Sequence, residues 1–135
     1  MNTSSHDLTP NIFPALKYKD GPAAVDWLTR VFGFEPQMVV PGPANTVTHA
    51  ELRLGPGTIM LGSARPQDRE NPWATEPMGI YVYVEDVQAH HDRAKAAGAE
   101  IVRHLQVTDY GSWEYSVRDL EGHLWSFGTY CPEEV

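Results

Sequence analysis

A histidine and a glutamate two residues apart offer this chain its clearest opportunity for metal chemistry. His49 and Glu51 fall on a predicted strand in the stretch THAELRL. Residues at i and i+2 of a strand emerge on one face, about 6 to 7 Å apart, and imidazole nitrogen and carboxylate oxygen are common ligands of divalent metals. The pair therefore suits two ligands of one ion, or a solvated, hydrogen-bonded pair on a half-exposed strand. Both interpretations stay open.

Alternating tyrosines indicate a second kind of chemistry. In IYVYVED, the aliphatic residues Ile80, Val82 and Val84 alternate with Tyr81 and Tyr83. Because successive side chains of a strand point to opposite faces, the aliphatic set suits a helix-covered side, which leaves both tyrosines on the other side. Their rings offer stiff contact area to a planar guest and their hydroxyls could orient it. The alternative is that they fill a small core.

A third candidate segment is WEYS, where two sets of side chains compete for one face. Alternation groups Trp113 with Tyr115, and Glu114 with Ser116. The first set would add aromatic surface to a cavity, whereas Glu114, like Glu51, would supply a carboxylate for general base catalysis. Sequence alone does not decide which set faces a cavity.

The remaining histidines carry weaker signals. His90 and His91 are adjacent on a predicted helix and so point in different directions, which predicts surface positions for both. His6 falls in an N-terminal arm, and His123 suits a structural role in a turn. The pattern around His104 assigns it no role.

These residues are positioned by an arrangement that occurs twice. Two helical patterns begin just after aspartates suited to cap them, Asp20 and Asp86, and end at Gly33 and Gly98, which are 65 residues apart. Each half predicts a strand, a helix and three further strands. In the first half the strands are 12–18, 34–40, 47–54 and 58–62, with the helix from 21. In the second half they are 79–85, 100–107, 113–118 and 123–130, with the helix over 87–97.

The predicted organisation is one domain made of two modules. Residues 1–10 form a flexible arm, 11–62 the first βαβββ module, 63–78 a proline-containing linker and 79–131 the second module. A chain of 135 residues with 41% hydrophobic content can bury one core but hardly two independent ones.

This duplication, together with the closing phrase RDLEGHLWSFGTY, resembles the vicinal oxygen chelate superfamily of glyoxalase I, extradiol dioxygenases, fosfomycin-inactivating enzymes and bleomycin-resistance proteins. The likeness extends from Asn11 to Tyr130 and is most specific in the turn 118–123, where Leu120 replaces the usual proline. The chain looks most like the small glyoxalase/bleomycin-resistance-like branch. The resemblance implies an α+β fold in which two βαβββ modules form curved sheets around a cavity.

The resemblance also implies where the family's metal ligands would lie, on the first and last strand of each half. Counting from the helix-heading aspartates and the turn glycines, those positions hold Phe13, Leu61, Gly79 and Ser126. A phenyl ring, an isobutyl group and a hydrogen have no lone pair, and a neutral serine is a poor donor. We therefore expect no metal there and no other cofactor, which weighs against metal-dependent glyoxalase or dioxygenase activity.

Composition limits the partners. Lys and Arg total 10 against 18 for Asp and Glu, and the resulting net charge of −8 disfavours nucleic acid and anionic membranes. Cys131 is the only cysteine, so no internal disulfide can form, and we expect a cytoplasmic location. The N-terminal residues lack a secretory pattern, and no apolar run reaches the roughly 18 residues of a membrane span.

The favoured hypothesis is a metal-free protein that sequesters a bulky, partly aromatic natural product or antibiotic in a cleft between two subunits, as bleomycin-resistance proteins do. The alternatives are an enzyme, namely a lyase, isomerase or dioxygenase with a displaced metal at His49 and Glu51 or a metal-free catalyst, and a structural or regulatory module. Incomplete sheet edges favour a homodimer. No catalytic residue is assigned, and the predicted ligand-binding residues are Phe13, His49, Glu51, Leu61, Tyr81, Tyr83, Trp113, Glu114, Tyr115 and Ser126.

Overall fold

The computed structural model describes residues 10–132, so the predicted arm lies almost wholly outside the described residues. The chain forms two four-stranded sheets, one from each half. The strands of the first are β1 (Ala15–Tyr18), β2 (Glu35–Gly42), β3 (Thr46–Leu54) and β4 (Gly57–Ser63). Those of the second are β5 (Gly79–Tyr83), β6 (Glu100–Val107), β7 (Trp113–Arg118) and β8 (Leu124–Gly128).

The two sheets have the same topology. Their strand orders are β1-β4-β3-β2 and β5-β8-β7-β6. In each sheet the first strand pairs in parallel with the last, and the other neighbours are antiparallel. This confirms the α+β fold of two βαβββ modules. The first strand is shorter than predicted, beginning at Ala15 directly after Pro14.

An aspartate caps the main helix of each module, as predicted. Asp20 accepts a hydrogen bond from the amide of Ala23 at 3.0 Å, and Asp86 accepts one from the amide of Ala89 at 3.0 Å. The helices that follow are α1 (Gly21–Trp27), which continues into a π-helical turn (Leu28–Phe32), and α3 (Val87–Ala96). Between the modules lie a short 3-10 turn (Pro66–Asp68) and the helix α2 (Pro72–Thr75), which packs on β1.

The two modules share one core, built from the helix-covered faces of both sheets. Phe32, at the end of the π-helical turn of the first module, lies 5.3 Å from the ring of Trp125 and 4.7 Å from that of Phe127, both in β8 of the second module. In every strand except β2, which contributes no buried residue, alternate residues point toward this core and the rest face away from it. We call the outward sides the open face of the first sheet and the open face of the second sheet.

The turn between β7 and β8 connects the second module to the first. Asp119 is 5% exposed, and its Oδ2 accepts hydrogen bonds from the hydroxyl of Tyr18 at 2.7 Å and from Nε1 of Trp125 at 3.0 Å. Its Oδ1 accepts from the amides of Glu121 and His123 at 2.9 and 3.1 Å. Since Tyr18 ends β1 while Trp125 lies in β8, one buried carboxylate joins both modules.

Glu121, in the same turn, supplies a second connection. Its two carboxylate oxygens accept hydrogen bonds from the amides of Lys19 and Asp20 at 2.6 and 2.9 Å. These amides lie just before α1, where backbone donors lack partners within the helix and a negative charge is favourable. The carboxylate therefore fixes the start of the first helix from the other module.

His123 completes the connection. Its Nδ1 accepts a hydrogen bond from the amide of Met78 at 2.9 Å, which places the ring proton on Nε2, 3.3 Å from the carbonyl of Lys17. This agrees with the structural role predicted for His123. We call Asp119, Glu121 and His123 the inter-module clasp.

His90 contradicts the predicted surface position. Its ring lies 4.1 Å from that of Phe127, its Nε2 donates to the carbonyl of Phe32 at 3.0 Å, and its Nδ1 lies 2.6 Å from the hydroxyl of Tyr115. Burial lowers the pKa of His90 to about 4, so the ring is neutral near pH 7. The prediction was wrong because adjacent helical residues point in different directions, and one of these directions meets the core.

Replacing Asp119 with alanine removes the acceptor of four hydrogen bonds and leaves two buried donors, Tyr18 and Trp125, without their partner. We expect Asp119→Ala to lower the free energy of unfolding by about 2 to 4 kcal/mol, measured by urea denaturation. Asp109→Ala, which changes an exposed carboxylate in the loop before β7, is the control and should change it by less than about 0.5 kcal/mol. Equal stability of both variants would contradict the role of the clasp.

Candidate functional site

The open face of the second sheet carries four of the predicted site residues. Tyr81 and Tyr83 lie on β5, Ser126 on β8 and Glu114 on β7, and strand pairing sets Tyr81 beside Ser126. The aliphatic residues of β5 point the other way, toward the core. The alternation in the sequence therefore gave the orientation of both tyrosines correctly.

Glu114 is the centre of a polar network on this face. Glu114 is 4% exposed, and its carboxylate accepts hydrogen bonds from Nη2 of Arg103 at 2.9 Å and from the hydroxyl of Tyr110 at 2.9 Å. Burial by itself would raise the pKa of Glu114, but the hydrogen bonds from Arg103 and Tyr110 outweigh it and lower that pKa below its ordinary value. The hydrogen bond that Tyr110 donates to Glu114 raises the pKa of the Tyr110 hydroxyl. Glu114 is therefore an ionised, fully engaged carboxylate at neutral pH.

Two serines extend the network across the sheet. The hydroxyl of Ser116 lies 2.8 Å from that of Ser126 and accepts from Nε of Arg103 at 3.3 Å. Arg103 on β6 is thus held by groups on β7 at two points, which fixes the plane of its guanidinium. Neither Arg103 nor Tyr110 was predicted from the sequence. Strand pairing sets Arg103 beside Ser116, and its long side chain reaches Glu114, two residues further along β7 on the same face.

A glycine allows the tyrosine and the glutamate to pack closely. A Cβ on Gly128 would lie 2.6 Å from Cγ of Glu114 and 2.9 Å from the hydroxyl of Tyr81. Tyr81 donates its hydroxyl proton to the carbonyl of Tyr130, and burial raises its pKa. The absence of a side chain at residue 128 is therefore a geometric requirement of this face.

The structure decides between the two sets of the WEYS segment. Glu114 and Ser116 face the open side, whereas Tyr115 is wholly buried and contacts His90. Tyr115 is therefore not available to a ligand on the open face, and its prediction as a lining residue is corrected. Trp113 also has core-side parity but is 49% exposed at the end of its strand, beside Leu105.

The first sheet corrects a second predicted residue. Leu61 is 2% exposed and points into the core, and the open-face residue of β4 is its neighbour Met60, which pairs with Ala15 and Glu51. The β3–β4 hairpin turns in two residues, whereas the β7–β8 turn has five, so counting from the matched glycines misplaces the strand by one residue. A shift of one residue along a strand moves each side chain to the opposite face of the sheet.

His49 and Glu51 share the open face of the first sheet, as the i, i+2 spacing predicts. Nε2 of His49 lies 2.9 Å from Oε2 of Glu51, and both side chains are about one-third exposed. Phe13, half exposed, lies two residues before β1. The histidine and the glutamate thus form an ion pair with each other when the imidazole is charged.

The residues at the family's metal positions do not fit a divalent ion. With Met60 in place of Leu61, those positions hold Phe13, Met60, Gly79 and Ser126, and the Ser126 hydroxyl already bonds to Ser116. A thioether is a soft ligand with little affinity for hard divalent cations. Within residues 10–132, no group of three or more His, Cys, Asp or Glu residues is close enough to hold a metal.

Comparison with known proteins gives the family. The sequence model of the Glyoxalase/Bleomycin resistance protein/Dioxygenase superfamily matches residues 14–127. The chain belongs to this superfamily. An uncharacterized protein of Mycobacterium tuberculosis is 32% identical over 133 residues, which cover 94% of this chain and 78% of that relative. In the described residues, no helix of this superfamily member is long and apolar enough to cross a membrane.

Solved structures of the superfamily show the same fold. TioX from Micromonospora sp. ML1 is 39% identical, with a TM-score of 0.78, over 90% of this chain and 99% of that chain. Lactoylglutathione lyase from Agrobacterium tumefaciens is 22% identical, with a TM-score of 0.69, over 87% and 92% of the two chains. The fosfomycin resistance protein FosX from Listeria monocytogenes is 16% identical, with a TM-score of 0.64, over 93% and 96%. At the last two identities the likeness concerns the fold alone.

Adding a methyl group at Gly128 should disturb the packing between Glu114 and Tyr81. We expect Gly128→Ala to lower the free energy of unfolding by about 1 to 3 kcal/mol, the usual cost of overpacking. Gly79→Ala is the matched control on the same open face, because a Cβ there meets no atom within 4 Å, and should leave stability nearly unchanged. Thermal or urea unfolding measures both variants, and a stable Gly128→Ala protein would show that Glu114 is free to move.

Proposed function

We propose that this superfamily member is a metal-free binding protein that sequesters a bulky, partly aromatic small molecule, such as a natural product or antibiotic, on the open face of the second sheet. The proposal rests on one observation: the exposed rings of Tyr81 and Tyr83 share a face with a network of polar side chains that are hydrogen-bonded to one another. Aromatic rings with fixed polar neighbours bind and orient a guest without reacting with it.

The state of Glu114 supports binding rather than proton transfer. A general base in an enzyme needs a pKa near the working pH and an oxygen free to take the proton. Glu114 has a lowered pKa, and both its oxygens accept hydrogen bonds from Arg103 and Tyr110. It is better suited to hold Arg103 in place beside a guest.

Within this proposal, two copies of the chain form the binding cleft. The open faces carry large apolar side chains that the single chain leaves 37 to 45% exposed, among them Met38, Val40, Tyr81 and Tyr83. Exposed apolar surface of this kind is typical of interaction sites. A second copy seated on an open face would cover it and enclose the guest. The lone cysteine and the charge of −8 fit a reducing cytoplasm and a cationic rather than a nucleic-acid partner.

The enzymatic alternative rests on His49 and Glu51, whose contact at 2.9 Å is the specific observation in its favour. Metal analysis of natively purified protein separates the two functions. One divalent ion retained per chain or per dimer, and lost in His49→Ala, would support a lyase, isomerase or dioxygenase and overturn the metal-free proposal.

Binding of a planar cation tests the proposed guest class directly. We expect proflavine to bind saturably in calorimetric titration, and Tyr83→Ala to weaken binding by about 1 to 3 kcal/mol, the range for loss of an interfacial aromatic. Tyr83→Phe is the matched variant and should bind nearly as tightly as the parent, because it keeps the ring. Unchanged affinity in Tyr83→Ala would exclude the open face of the second sheet as the site.

The proposed homodimer predicts a light-scattering mass of twice the chain mass at micromolar concentration. Val40 lies on the open face of the first sheet, paired with His49, so Val40→Glu should weaken the dimer if the second copy covers that face. Val39→Glu is the control, because Val39 is equally exposed but lies on the opposite side of the same strand. A monomeric parent protein would contradict the dimer, and dissociation by both variants would contradict this placement of the interface.

A further inference from the structure

A cavity lies at one end of the first sheet, away from the tyrosines of the second sheet. Its volume is about 410 Å³, within the range of small-molecule pockets. The walls are the β2–β3 turn on one side and the segment after β4 on the other. The lining residues include Lys17, Pro43, Ala44, Thr48, Arg65 and Pro66.

Two cations line this cavity, and they share one carboxylate. Asp68 is 4% exposed and accepts a hydrogen bond from the amide of Arg65 at 2.9 Å, while Nη2 of Arg65 lies 3.3 Å from its Oδ1. Nζ of Lys17 lies 3.7 Å from Oδ2 of Asp68, which is an ion pair beyond hydrogen-bonding distance. The ammonium thus keeps its donors for another acceptor. The group carries one net positive charge in a chain of net charge −8.

The charge of this group is constant over the physiological pH range. The backbone hydrogen bond from Arg65, followed by that from its guanidinium, lowers the pKa of Asp68 to about 2. Lysine and arginine side chains stay protonated at neutral pH. The excess positive charge is therefore a fixed feature of the cavity rather than one that a small change in pH removes.

The opposite wall is apolar and its backbone has an unusual shape. Pro43 and Ala44 contribute carbon surface there, Pro66 adds carbon surface on the side of Arg65, and Thr48 is exposed at the edge. Ala44 and Asn45 both have positive φ, at 56° and 59°, a conformation that is disfavoured for alanine. Positive φ at both central residues is what a type I′ turn between antiparallel strands requires, so this wall is a tight hairpin of defined shape.

We propose that this cavity binds a small organic anion, with its carboxylate or phosphate group on Lys17 and Arg65 and its apolar body against Pro43, Ala44 and Pro66. The site is separate from the proposed aromatic site, which uses the other sheet and suits a cationic guest. Failure of either proposal leaves the other standing.

Three naphthalene derivatives test the requirement for an anion, with amide NMR resonances as the readout. We expect naphthyl phosphate and naphthoate to shift the amides of residues 46–48 and 63–65 saturably, and neutral naphthalenemethanol to bind at least about tenfold more weakly. Binding of only one of the anions would identify the head group. Equal binding of the neutral compound, or shifts confined to the second sheet, would overturn the proposal.

A charge change at the edge of the cavity tests its location. Thr48→Glu places a negative charge beside the cations without altering Lys17, Arg65 or Asp68, and should weaken naphthyl phosphate binding roughly tenfold, as expected for like charges near a protein surface. Thr58→Glu adds the same charge to the same open face, but at the far end of β4, and should leave the affinity unchanged. Equal affinity in both variants would place the anion elsewhere.

Lys17→Gln provides a second test that adds no charge repulsion. It removes the ammonium but keeps Arg65 paired with Asp68, so the segment after β4 retains its hydrogen bonds. We expect naphthyl phosphate to bind about tenfold more weakly, and the parent protein to lose affinity as salt concentration rises. Undiminished affinity in Lys17→Gln, with a native amide spectrum, would exclude the cation pair as the head-group site.

Discussion

The buried carboxylate of Asp119 is the interaction on which the arrangement of the two modules depends. Each βαβββ module has an apolar face too large to leave in water, and the two must meet in one orientation. Tyr18 from the first module and Trp125 from the second both donate to Asp119, so a misplaced module would leave an ionisable group and two donors buried without partners. Glu121 extends the same restraint to the start of α1.

This orientation determines where function can lie. The helix-covered faces of both sheets are buried in the shared core, in which Phe32 packs against Trp125 and Phe127. The side chains that a ligand can reach therefore lie on the two open faces and at the ends of the sheets. The open face of the second sheet combines aromatic rings with a polar network centred on Glu114. The end of the first sheet carries a cation pair that shares one acid, Asp68. The two regions therefore differ in chemistry: the first-sheet group has one net positive charge, whereas the charges of Arg103 and Glu114 cancel.

Different physical devices hold the two candidate sites in shape. On the second sheet, hydrogen bonds across three neighbouring strands fix Arg103, and Gly128 leaves the space that Glu114 and Tyr81 occupy. Near the first sheet, one short turn with positive φ at Ala44 faces a segment held by Asp68. A preorganised site loses less conformational entropy when it binds a guest. Both arrangements therefore favour binding without a large rearrangement of the protein.

Local signals in the sequence determined the order of strands and helices, the helix starts and the direction of Tyr81 and Tyr83, because capping and strand alternation depend only on residues near one another in the chain. The arrangement of the two modules was implied by the duplication and by the resemblance to the superfamily. Tertiary structure decided the rest. The length of a hairpin turn put Leu61 in the core, and packing across the two modules drew the partly buried ring of His90 against Phe127. The pairing of β6 with β7 set Arg103 beside Ser116, within reach of Glu114. These outcomes depend on strand register and on contacts between distant segments, and a one-residue change in register reverses which side chains a ligand can reach.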